Sequence, residues 1–462
     1  MVKRFNYQGG FILAGVFGKL KTLKKGMMFP DKYDFLKSQL GKKPIEEASL
    51  SEEVVIPLSQ HIGAPCKPLV EVKQRVLVGQ KIGDSNGFVS APVHSSVSGE
   101  IKAIEPRLIF TGDKVLSVII APDGKQEVAG FNGLSEEEIV CPDKVRAVVR
   151  ESGIVGLGGA AFPTHVKLTP PKDKPVKDVI VNGCECEPFI AGDHRNMLEN
   201  AESIIDGLRI ILQTIGAEKG YIAIETNKID ALHHISNLVS SEKNIKVVPL
   251  NAKYPQGAEK QLIQVVLGRE VPSGCIPCEV GALVQNVGTT IAISKAIREG
   301  KPLFERVLSV TGSGINEPKN LRVKIGTSVS HLIKECGGFK GEPGKVVFGG
   351  PMTGFALFDL SVPVVKGTSG IVVFKKGTAS ISDPRGCIRC GRCVQVCPIN
   401  IMPNFIGQYV EAGMIDNAES SGVMDCIECG VCAYVCPAQR PLIQFMRYAK
   451  SKIVANRKKG GK

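Results

Sequence analysis

The sequence feature that most constrains this chain is a pair of cysteine blocks near its carboxyl end. Their sequences are CIRCGRCVQVCP at residues 387–398 and CIECGVCAYVCP at residues 426–437, an internal repeat at an offset of 39 residues. Eight of the twelve positions are identical, and both blocks have the spacing CxxCxxCxxxCP. Three thiols at steps of three residues face one side of a tight turn, whereas the fourth, followed by proline, points elsewhere. Both segments are therefore expected to fold around a thiolate-bound group.

This spacing is typical of proteins that bind two [4Fe-4S] clusters, in which the fourth cysteine of each block ligates the other cluster. Two zinc knuckles are the alternative, but a zinc site takes its ligands in pairs rather than in triplets followed by Cys-Pro. Metal-binding thiols in a long chain also indicate a reducing compartment. We therefore predict two clusters with crossed ligand sets. One set is Cys387, Cys390, Cys393 and Cys436, and the other is Cys426, Cys429, Cys432 and Cys397.

The rest of the composition is that of a globular protein with several domains. A chain of 462 residues is too long for one hydrophobic core, and it contains no apolar run long enough to span a membrane. The net charge of +13 comes from the two ends, because residues 1–50 carry a net +6 and residues 441–462 a net +7. We predict these ends either as solvated tails or as segments attracted to an anionic membrane or an acidic partner. We expect no nucleic-acid partner, because no aromatic residues alternate with these charges.

Two regions have the pattern of small β domains. Residues 54–120 contain short alternating apolar runs bounded by turn residues. Part of this region, VGQKIGDSNGFVSAPVHSSVSGEIKAI, resembles the barrel-sandwich hybrid of biotinyl and lipoyl carrier domains but lacks their modifiable lysine, which favours a structural or docking module. Residues 306–375 return to short β patterns and predict a small β-grasp-like domain.

Helix and strand patterns alternate from about residue 143, which predicts a mostly parallel sheet with crossover helices. The predicted strands are 178–182, 221–225 and 246–250, and the predicted helices are 196–215, 228–240 and 257–267.

A glycine-rich segment, GIVGLGGAAFPTHVKL at residues 153–168, lies at the start of this region. It contains the dinucleotide-binding pattern GxGxxA, but that pattern belongs after a strand and before a helix. Here the glycines follow a helical pattern, for which Gly153 is the expected C-cap, and they precede a strand. Gly156, Gly158 and Gly159 allow the backbone to approach a flat or anionic ligand closely. A tight connector without a ligand is the alternative.

Several segments together resemble a known family, the C subunits of Rnf ion-translocating electron-transport complexes. The matching segments, in chain order, are PLSQHIGAP, GLGGAAFPTHVKL, VIVNGCECEP, YPQGAEKQL, VQNVGT and the two cysteine blocks ending in CAYVCPAQRPL. The α/β part is also similar to the flavin-bearing, NADH-binding subunit of respiratory complex I. The resemblance implies a basic N-terminal segment (1–50), a barrel-sandwich-hybrid-like domain (51–130), an FMN- and NADH-binding α/β domain (131–305), an SLBB-like β-grasp domain (306–376), a helical two-cluster ferredoxin-like domain (377–445) and a basic tail (446–462).

The resemblance further implies that FMN and NADH share one pocket. The residues that would lie along the flavin or line its pocket are Gly156, Gly158, Gly159, Ala160, Asn182, Glu185, Tyr254, Gly257 and Glu259. Lys167 would reach the flavin phosphate or ring edge, and Asn286 and Thr289 would hold the phosphate. Glu187 matches a carboxylate beside the nicotinamide, and Phe162 an aromatic that stacks on the adenine or nicotinamide. Glu185 and Glu187 are the candidate catalytic residues.

Three further cysteines depart from the patterns of the similar proteins. Cys184 occupies the position of an acid in the complex I subunit, and Cys275 and Cys278 are absent from the usual form of the family. A further candidate site, for zinc or another iron–sulfur cluster, would form if the sheet brings together Cys184, Cys186, Cys275 and Cys278. Four ordinary buried thiols are the alternative.

The implied function is electron input to a membrane-bound, ion-translocating NADH:ferredoxin oxidoreductase. NADH would be the hydride donor, and electrons would pass from FMN through two clusters to the other subunits and, through the complex, to ferredoxin. The chain would be a peripheral subunit on the cytoplasmic face of the cell membrane. A soluble FMN and iron–sulfur reductase, such as the cobalamin reductases of bacterial microcompartments, and a flavin-free electron relay are the alternatives.

Overall fold

The described part of the basic N-terminal segment, residues 20–50, is folded onto the rest of the molecule. The structure, a computed structural model, describes residues 20–378 and 383–460. Helix α1 (Asp31–Gly41) and strand β1 (Ile45–Glu47) follow an extended stretch in which Met27 forms an antiparallel bridge with Tyr254. The interpretation of residues 1–50 as a solvated tail is therefore wrong for their described part, while residues 1–19 lie outside the described residues.

The barrel-sandwich hybrid consists of seven short strands in two antiparallel sheets. The strands are β2 (Val54–Pro57), β3 (Lys67–Pro68), β4 (Arg75–Val76), β5 (Lys81–Asp84), β6 (Val93–His94), β7 (Gly99–Leu108) and β8 (Lys114–Pro122). Their orders are β2-β8-β7-β4 and β3-β5-β6. Alternate residues such as Val54, Ile56, Ile101 and Ile120 are fully buried in one core, as expected for sheets that are apolar on one face.

The α/β domain is built on a four-stranded parallel sheet, which confirms the predicted alternation. Its elements are α2 (Glu136–Ile139), α3 (Pro142–Glu151), α4 (Thr164–Lys167), β9 (Asp178–Gly183), α5 (Gly192–Glu199), α6 (Ala201–Ile215), β10 (Lys219–Glu225), α7 (Ile229–Leu238), β11 (Ile245–Leu250), α8 (Glu259–Leu267), a 3-10 turn (Pro277–Val280), β12 (Ala282–Asn286) and α9 (Val287–Glu299). The single helix predicted at 196–215 is wrong, because Asn200, with φ −129°, separates α5 from α6.

The order of this sheet creates one crevice at its carboxyl edge. Strands are arranged β11-β10-β9-β12, all parallel, so the chain moves outward from β9 to β11 and then returns to the other side of β9. Such a reversal is a topological switch point, where open α/β sheets bind ligands beyond the carboxyl ends of the strands. Asn182 at the end of β9 is in register with Asn286 at the end of β12. Both predicted asparagines therefore flank the crevice.

The β-grasp domain has a six-stranded sheet that includes the N-terminal β1. The remaining elements are β13 (Glu305–Thr311), β14 (Lys319–Lys324), α10 (Val329–Glu335), β15 (Pro343–Phe348), β16 (Phe355–Leu357) and β17 (Gly370–Lys375), in the order β1-β14-β13-β17-β15-β16. Lys366 joins three domains, because its buried ammonium donates to Pro92 O at 2.6 Å and to Gly153 O at 2.7 Å. Gly153 has a φ of +65°, and a Cβ there would lie 2.3 Å from Pro92 O.

The carboxyl-terminal domain is helical. Its elements are α11 (Arg392–Val396), α12 (Pro403–Glu411), α13 (Ile415–Ser420), a 3-10 turn (Val423–Asp425), α14 (Val431–Tyr434) and α15 (Leu442–Gly460). Helix α15 buries Met446, Ala449 and Ile453 against α12 and α13. The interpretation of 441–462 as a solvated tail is therefore wrong as far as Ile453, whereas residues 454–458 are exposed and residues 461–462 lie outside the described residues. Within the described chain, no helix combines the length and apolar character needed to cross a membrane.

Candidate functional site

The glycine loop forms a hairpin whose tip is exposed. Gly156 N donates to Phe162 O at 2.8 Å, and Val155 forms a bridge with Pro163, so the residues between them form a short hairpin. Gly158, Gly159 and Ala160 at its tip are exposed. Gly159 has a φ of +150° and no heavy atom within 4 Å of the position a Cβ would take. The backbone of the loop tip therefore borders open space, which side chains at these positions would fill.

This loop lies against the switch-point crevice. Leu157 N donates to Thr289 Oγ1 at 2.8 Å, and a Cβ on Gly158 would lie 3.2 Å from Asn286 Cβ. Asn286 is the N-cap of α9, since its Oδ1 accepts from Gly288 N at 2.8 Å. The first turn of a helix attracts negative charge because its N–H groups and dipole point outward. The predicted phosphate residues Asn286 and Thr289 thus meet the glycine loop at a helix N-terminus.

The turn NGCECEP after β9 forms another wall of the crevice. Asn182 Nδ2 donates to Gly257 O at 2.8 Å, while Asn182 Oδ1 accepts from Cys184 N at 3.0 Å. A Cβ on Gly257 would lie 2.3 Å from Cys184 O, so this close packing requires glycine. The predicted pocket residues Asn182 and Gly257 are therefore joined directly by a hydrogen bond.

Both candidate catalytic carboxylates accept hydrogen bonds from main-chain N–H groups. Glu185 accepts from Asp193 N at 3.0 Å and from His194 N at 3.2 Å, at the start of α5. Burial and, secondarily, the charge of Glu185 raise the pKa of Asp193 to about 7. Glu187 accepts from Met352 N at 3.1 Å and from Thr353 N at 3.0 Å, and burial raises its pKa. Glu185 thus caps a helix, and Glu187 holds a loop of the β-grasp domain.

The remaining predicted pocket residues are Lys167, Glu259, Phe162 and Tyr254. Lys167 Nζ donates to Glu259 Oε1 at 2.5 Å and to Val284 O at 3.1 Å, so these two predicted residues form an ion pair. Phe162 is half-buried directly after the loop tip. Tyr254 is 3% exposed, and its hydroxyl donates to Cys429 O at 2.7 Å in the helical domain. Tyr254 therefore connects the α/β domain to a cysteine block.

The eight block cysteines line two separate cavities. The first is lined by Cys387, Cys390, Cys393 and Cys436, and the second by Cys397, Cys426, Cys429 and Cys432. Each cavity thus combines three thiols of one block with the fourth thiol of the other. Burial raises the pKa of Cys429 to about 12. A buried thiolate needs a bound cation, and four soft sulfur ligands suit iron–sulfur chemistry.

The four other cysteines face different surroundings. Cys184 Sγ donates to Ala223 O at 3.6 Å inside the core, whereas Cys278 lies half-buried beside Glu279 and Lys174. Across residues 20–378 and 383–460, no three Cys, His, Asp or Glu side chains are close enough to hold a single metal ion. A cubane spaces its thiolates farther apart than one ion does, since each thiolate binds a different iron. The described side chains therefore form no single-ion site from these cysteines, and a further iron–sulfur cluster on Cys184, Cys186, Cys275 and Cys278 stays a prediction.

Four family profiles match the chain in the order of its domains. They are the RnfC barrel sandwich hybrid domain at residues 21–125, the Nuo51 FMN-binding domain at 149–295, the SLBB domain at 307–356 and the 4Fe-4S dicluster domain at 379–437.

Curated relatives match over nearly the whole chain. The C subunit of the Na(+)-translocating ferredoxin:NAD(+) oxidoreductase complex of Acetobacterium woodii is 46% identical, and the match covers 95% of this chain and 98% of the relative. A proton-translocating counterpart from Clostridium ljungdahlii is 44% identical, with 94% of each chain covered. The C subunit of the ion-translocating oxidoreductase complex of Rhodobacter capsulatus is 38% identical over 96% of this chain and 85% of its own. The chain belongs to the RnfC family.

RnfC membership confirms the expected cofactors and the order of the domains. The FMN-binding profile spans the glycine loop, the turn after β9 and the start of α9, and the dicluster profile spans both cysteine blocks. This RnfC chain is thus a redox subunit with FMN and two [4Fe-4S] clusters as its cofactors. The individual ligand residues and the domain boundaries stay predictions.

Two buried cations of this RnfC chain escaped the sequence analysis. Arg306 donates to Leu157 O at 2.8 Å and to Lys366 O at 2.9 Å, so a side chain of the β-grasp domain is hydrogen-bonded to the main chain of the glycine loop. Lys37 of α1 donates to the main-chain oxygens of Glu185 and Glu187. Neither lies in a recognisable motif, and their partners are backbone oxygens, which leave no pattern in a sequence.

Proposed function

We propose that this RnfC-family chain is the electron-input subunit of an ion-translocating oxidoreductase complex, with NADH as the electron donor. Its place would be peripheral, on the cytoplasmic face of the cell membrane. Names of the relatives, which include the term ferredoxin:NAD(+) oxidoreductase complex, support membership of such a complex and an NAD substrate, while NADH as the donor is part of the proposal. The observation that carries it is the flavin-type crevice whose wall residue Tyr254 donates directly to Cys429.

The residues around the crevice fit FMN. The exposed loop tip (Gly158, Gly159 and Ala160), with Gly156 at its base, would lie along the flavin. Asn286 and Thr289 at the start of α9 would hold its phosphate, with Lys167 as a further candidate. FMN, when bound, supplies hydride acceptance and single-electron release. Asn182, Glu185, Gly257 and Glu259 would shape the pocket, with Glu187 and Phe162 on the nicotinamide side.

The geometry supports a fixed order of the two clusters. We call the cavity of Cys397, Cys426, Cys429 and Cys432 the inner site, because Tyr254 of the crevice contacts it through Cys429 O. The cavity of Cys387, Cys390, Cys393 and Cys436 is the outer site. Electrons would enter at the inner site and leave from the outer one.

The outer site has the character of an exit surface. Cys390 is exposed, and Ile388 beside it is 66% exposed. Arg389 and Arg392 are exposed and have no carboxylate partner among the described residues. An apolar residue flanked by unpaired arginines suits an acidic iron–sulfur domain of another subunit, because complementary charge speeds docking.

Anaerobic purification of the full chain tests this function. We expect one FMN and about eight iron atoms per chain, with flavin and cluster absorbance bleached by NADH. Gly158→Leu should lose the flavin and keep the iron, whereas Gly130→Leu in an exposed barrel loop should keep both. About eight irons without flavin in the unchanged protein would instead favour a flavin-free relay.

A further inference from the structure

The N-terminal residues 20–47, which we call the strap, contact three domains. Gly26 N donates to Val396 O of the helical domain at 3.1 Å, and Met27 bridges Tyr254 of the α/β domain. Phe29 lies between Tyr254 and Tyr434, with ring centroids 5.4 and 5.6 Å away. The strap thus runs along the boundary between the crevice and the inner site.

One strap side chain enters the wall of the crevice. Lys37 is 7% exposed, and its Nζ donates to Glu185 O and, at 2.9 Å, to Glu187 O. These two carbonyls lie on either side of Cys186 in the turn after β9. The charged groups that face Lys37 are Lys228, Glu185 and Glu225, and Glu225 is itself paired with Lys228 at 2.8 Å. Lys37 therefore bonds to the backbone of the turn rather than to a carboxylate.

This contact is one of the hydrogen bonds that hold the turn in its shape. Buried carbonyl groups require hydrogen-bond donors, and charged donors make the strongest such bonds. With Lys37 removed, the oxygens of Glu185 and Glu187 would lose their shared donor and the turn would relax. The side chains of both glutamates, and of Asn182 just before them, would then change position.

We propose that Lys37 is a positioning residue of the flavin and nicotinamide pocket, acting through the main chain of residues 185–187. This inference rests on the proposed function, because the turn is taken as the wall of that pocket. It makes the basic N-terminal segment part of the nucleotide site.

The test compares Lys37→Met with Lys42→Met, an exposed lysine directly after the same helix. Both full-length proteins are loaded with clusters, freed of flavin and titrated with FMN, using flavin fluorescence. We expect Lys37→Met to raise the FMN dissociation constant by about tenfold or more, and Lys42→Met to leave it unchanged. After reloading with FMN, the KM for NADH should rise more than kcat falls. Unchanged FMN affinity and unchanged KM in Lys37→Met would overturn the inference.

A second variant separates positioning from general destabilisation. Lys37→Gln keeps two N–H donors without the charge, so its FMN affinity should fall between those of the unchanged protein and Lys37→Met. If Lys37→Met loses iron, the test rests on Lys37→Gln. Full iron content with weakened FMN binding in Lys37→Gln supports positioning. Full iron content with unchanged FMN affinity contradicts it. Failure of the unchanged protein to bind FMN would instead contradict the proposed function itself.

Discussion

The two cysteine blocks share eight of twelve residues, yet their surroundings differ. Around the inner site, Glu428 is paired with Arg447 at 3.1 Å and with Lys450 at 2.9 Å. Gly430 packs so closely on the β-grasp domain that a Cβ would lie 2.6 Å from Met352 O. At the outer site, Arg389 occupies the position equivalent to Glu428, exposed and without a carboxylate partner among the described residues. The second block packs against the β-grasp domain and α15, whereas residues 388–390 and 392 of the first block are exposed.

The difference lies in the four positions that the repeat does not share. The cysteines and the following prolines determine the cluster-binding turns, whereas the variable residues determine what each turn contacts. The ring of Tyr434, although 45% exposed, contacts Phe29 of the strap, while the equivalent Gln395 has no ring to make such a contact. Under the proposed function, this difference gives the duplicated motif a direction, with electrons entering at the inner site and leaving from the outer one.

The largest expected effects come from the second cysteine of each block. Cys429→Ser should lose the inner cluster, about four iron atoms, and with it all NADH-dependent reduction of the outer cluster. Cys390→Ser should lose the outer cluster while NADH still reduces the inner one. Iron analysis and electron paramagnetic resonance of NADH-treated protein measure both. Loss of all cluster reduction in Cys390→Ser would reverse the assigned order.

A smaller effect is expected from the charges at the outer site. The double change Arg389→Glu and Arg392→Glu should slow electron transfer to an acidic iron–sulfur acceptor domain roughly tenfold at low salt, because it replaces attraction with repulsion. The difference from the unchanged protein should shrink as salt rises. Stopped flow measures the electron-transfer rates, and Lys458→Glu, on the exposed end of α15, is the control variant. Equal rates for both variants would contradict an exit surface at this site.

The smallest expected effect concerns the contact between the crevice and the inner site. Tyr254→Phe removes one buried hydrogen bond to Cys429 O and should lower the free energy of unfolding by about 0.5–1.5 kcal/mol. The resonance signal of the inner cluster should shift, while that of the outer cluster stays the same. Tyr448→Phe, at a half-exposed position, should change neither. A shift of the outer signal alone would contradict the assignment of Tyr254 to the inner site.

Much of the architecture could be predicted from the sequence because it depends on local patterns. The apolar, β-branched run at 178–182 indicates a buried strand, and β9 extends over Asp178–Gly183. The pattern around the glycine loop likewise places it after a helix rather than in a dinucleotide-binding turn, as the structure confirms. The spacing of the block cysteines alone also distinguishes a [4Fe-4S] site from a zinc site.

The contacts between domains could not be predicted in this way. The hydrogen bond of Tyr254 to Cys429 joins residues 175 positions apart, and those of Lys37 end on carbonyl groups present in every residue. Charge counting was misleading at the carboxyl-terminal end, because it ignored the apolar stripe of Met446, Ala449 and Ile453 on α15. A basic segment with apolar residues at helical spacing can fold onto a domain.

The order of cluster reduction tests the central claim most directly. In the unchanged protein, mixed with NADH and frozen at successive times, two resonance signals can be assigned by their absence from Cys429→Ser and from Cys390→Ser. We expect the signal missing in Cys429→Ser to appear first and the signal missing in Cys390→Ser to follow. The reverse order would contradict electron entry beside Tyr254 and exit beside Arg389.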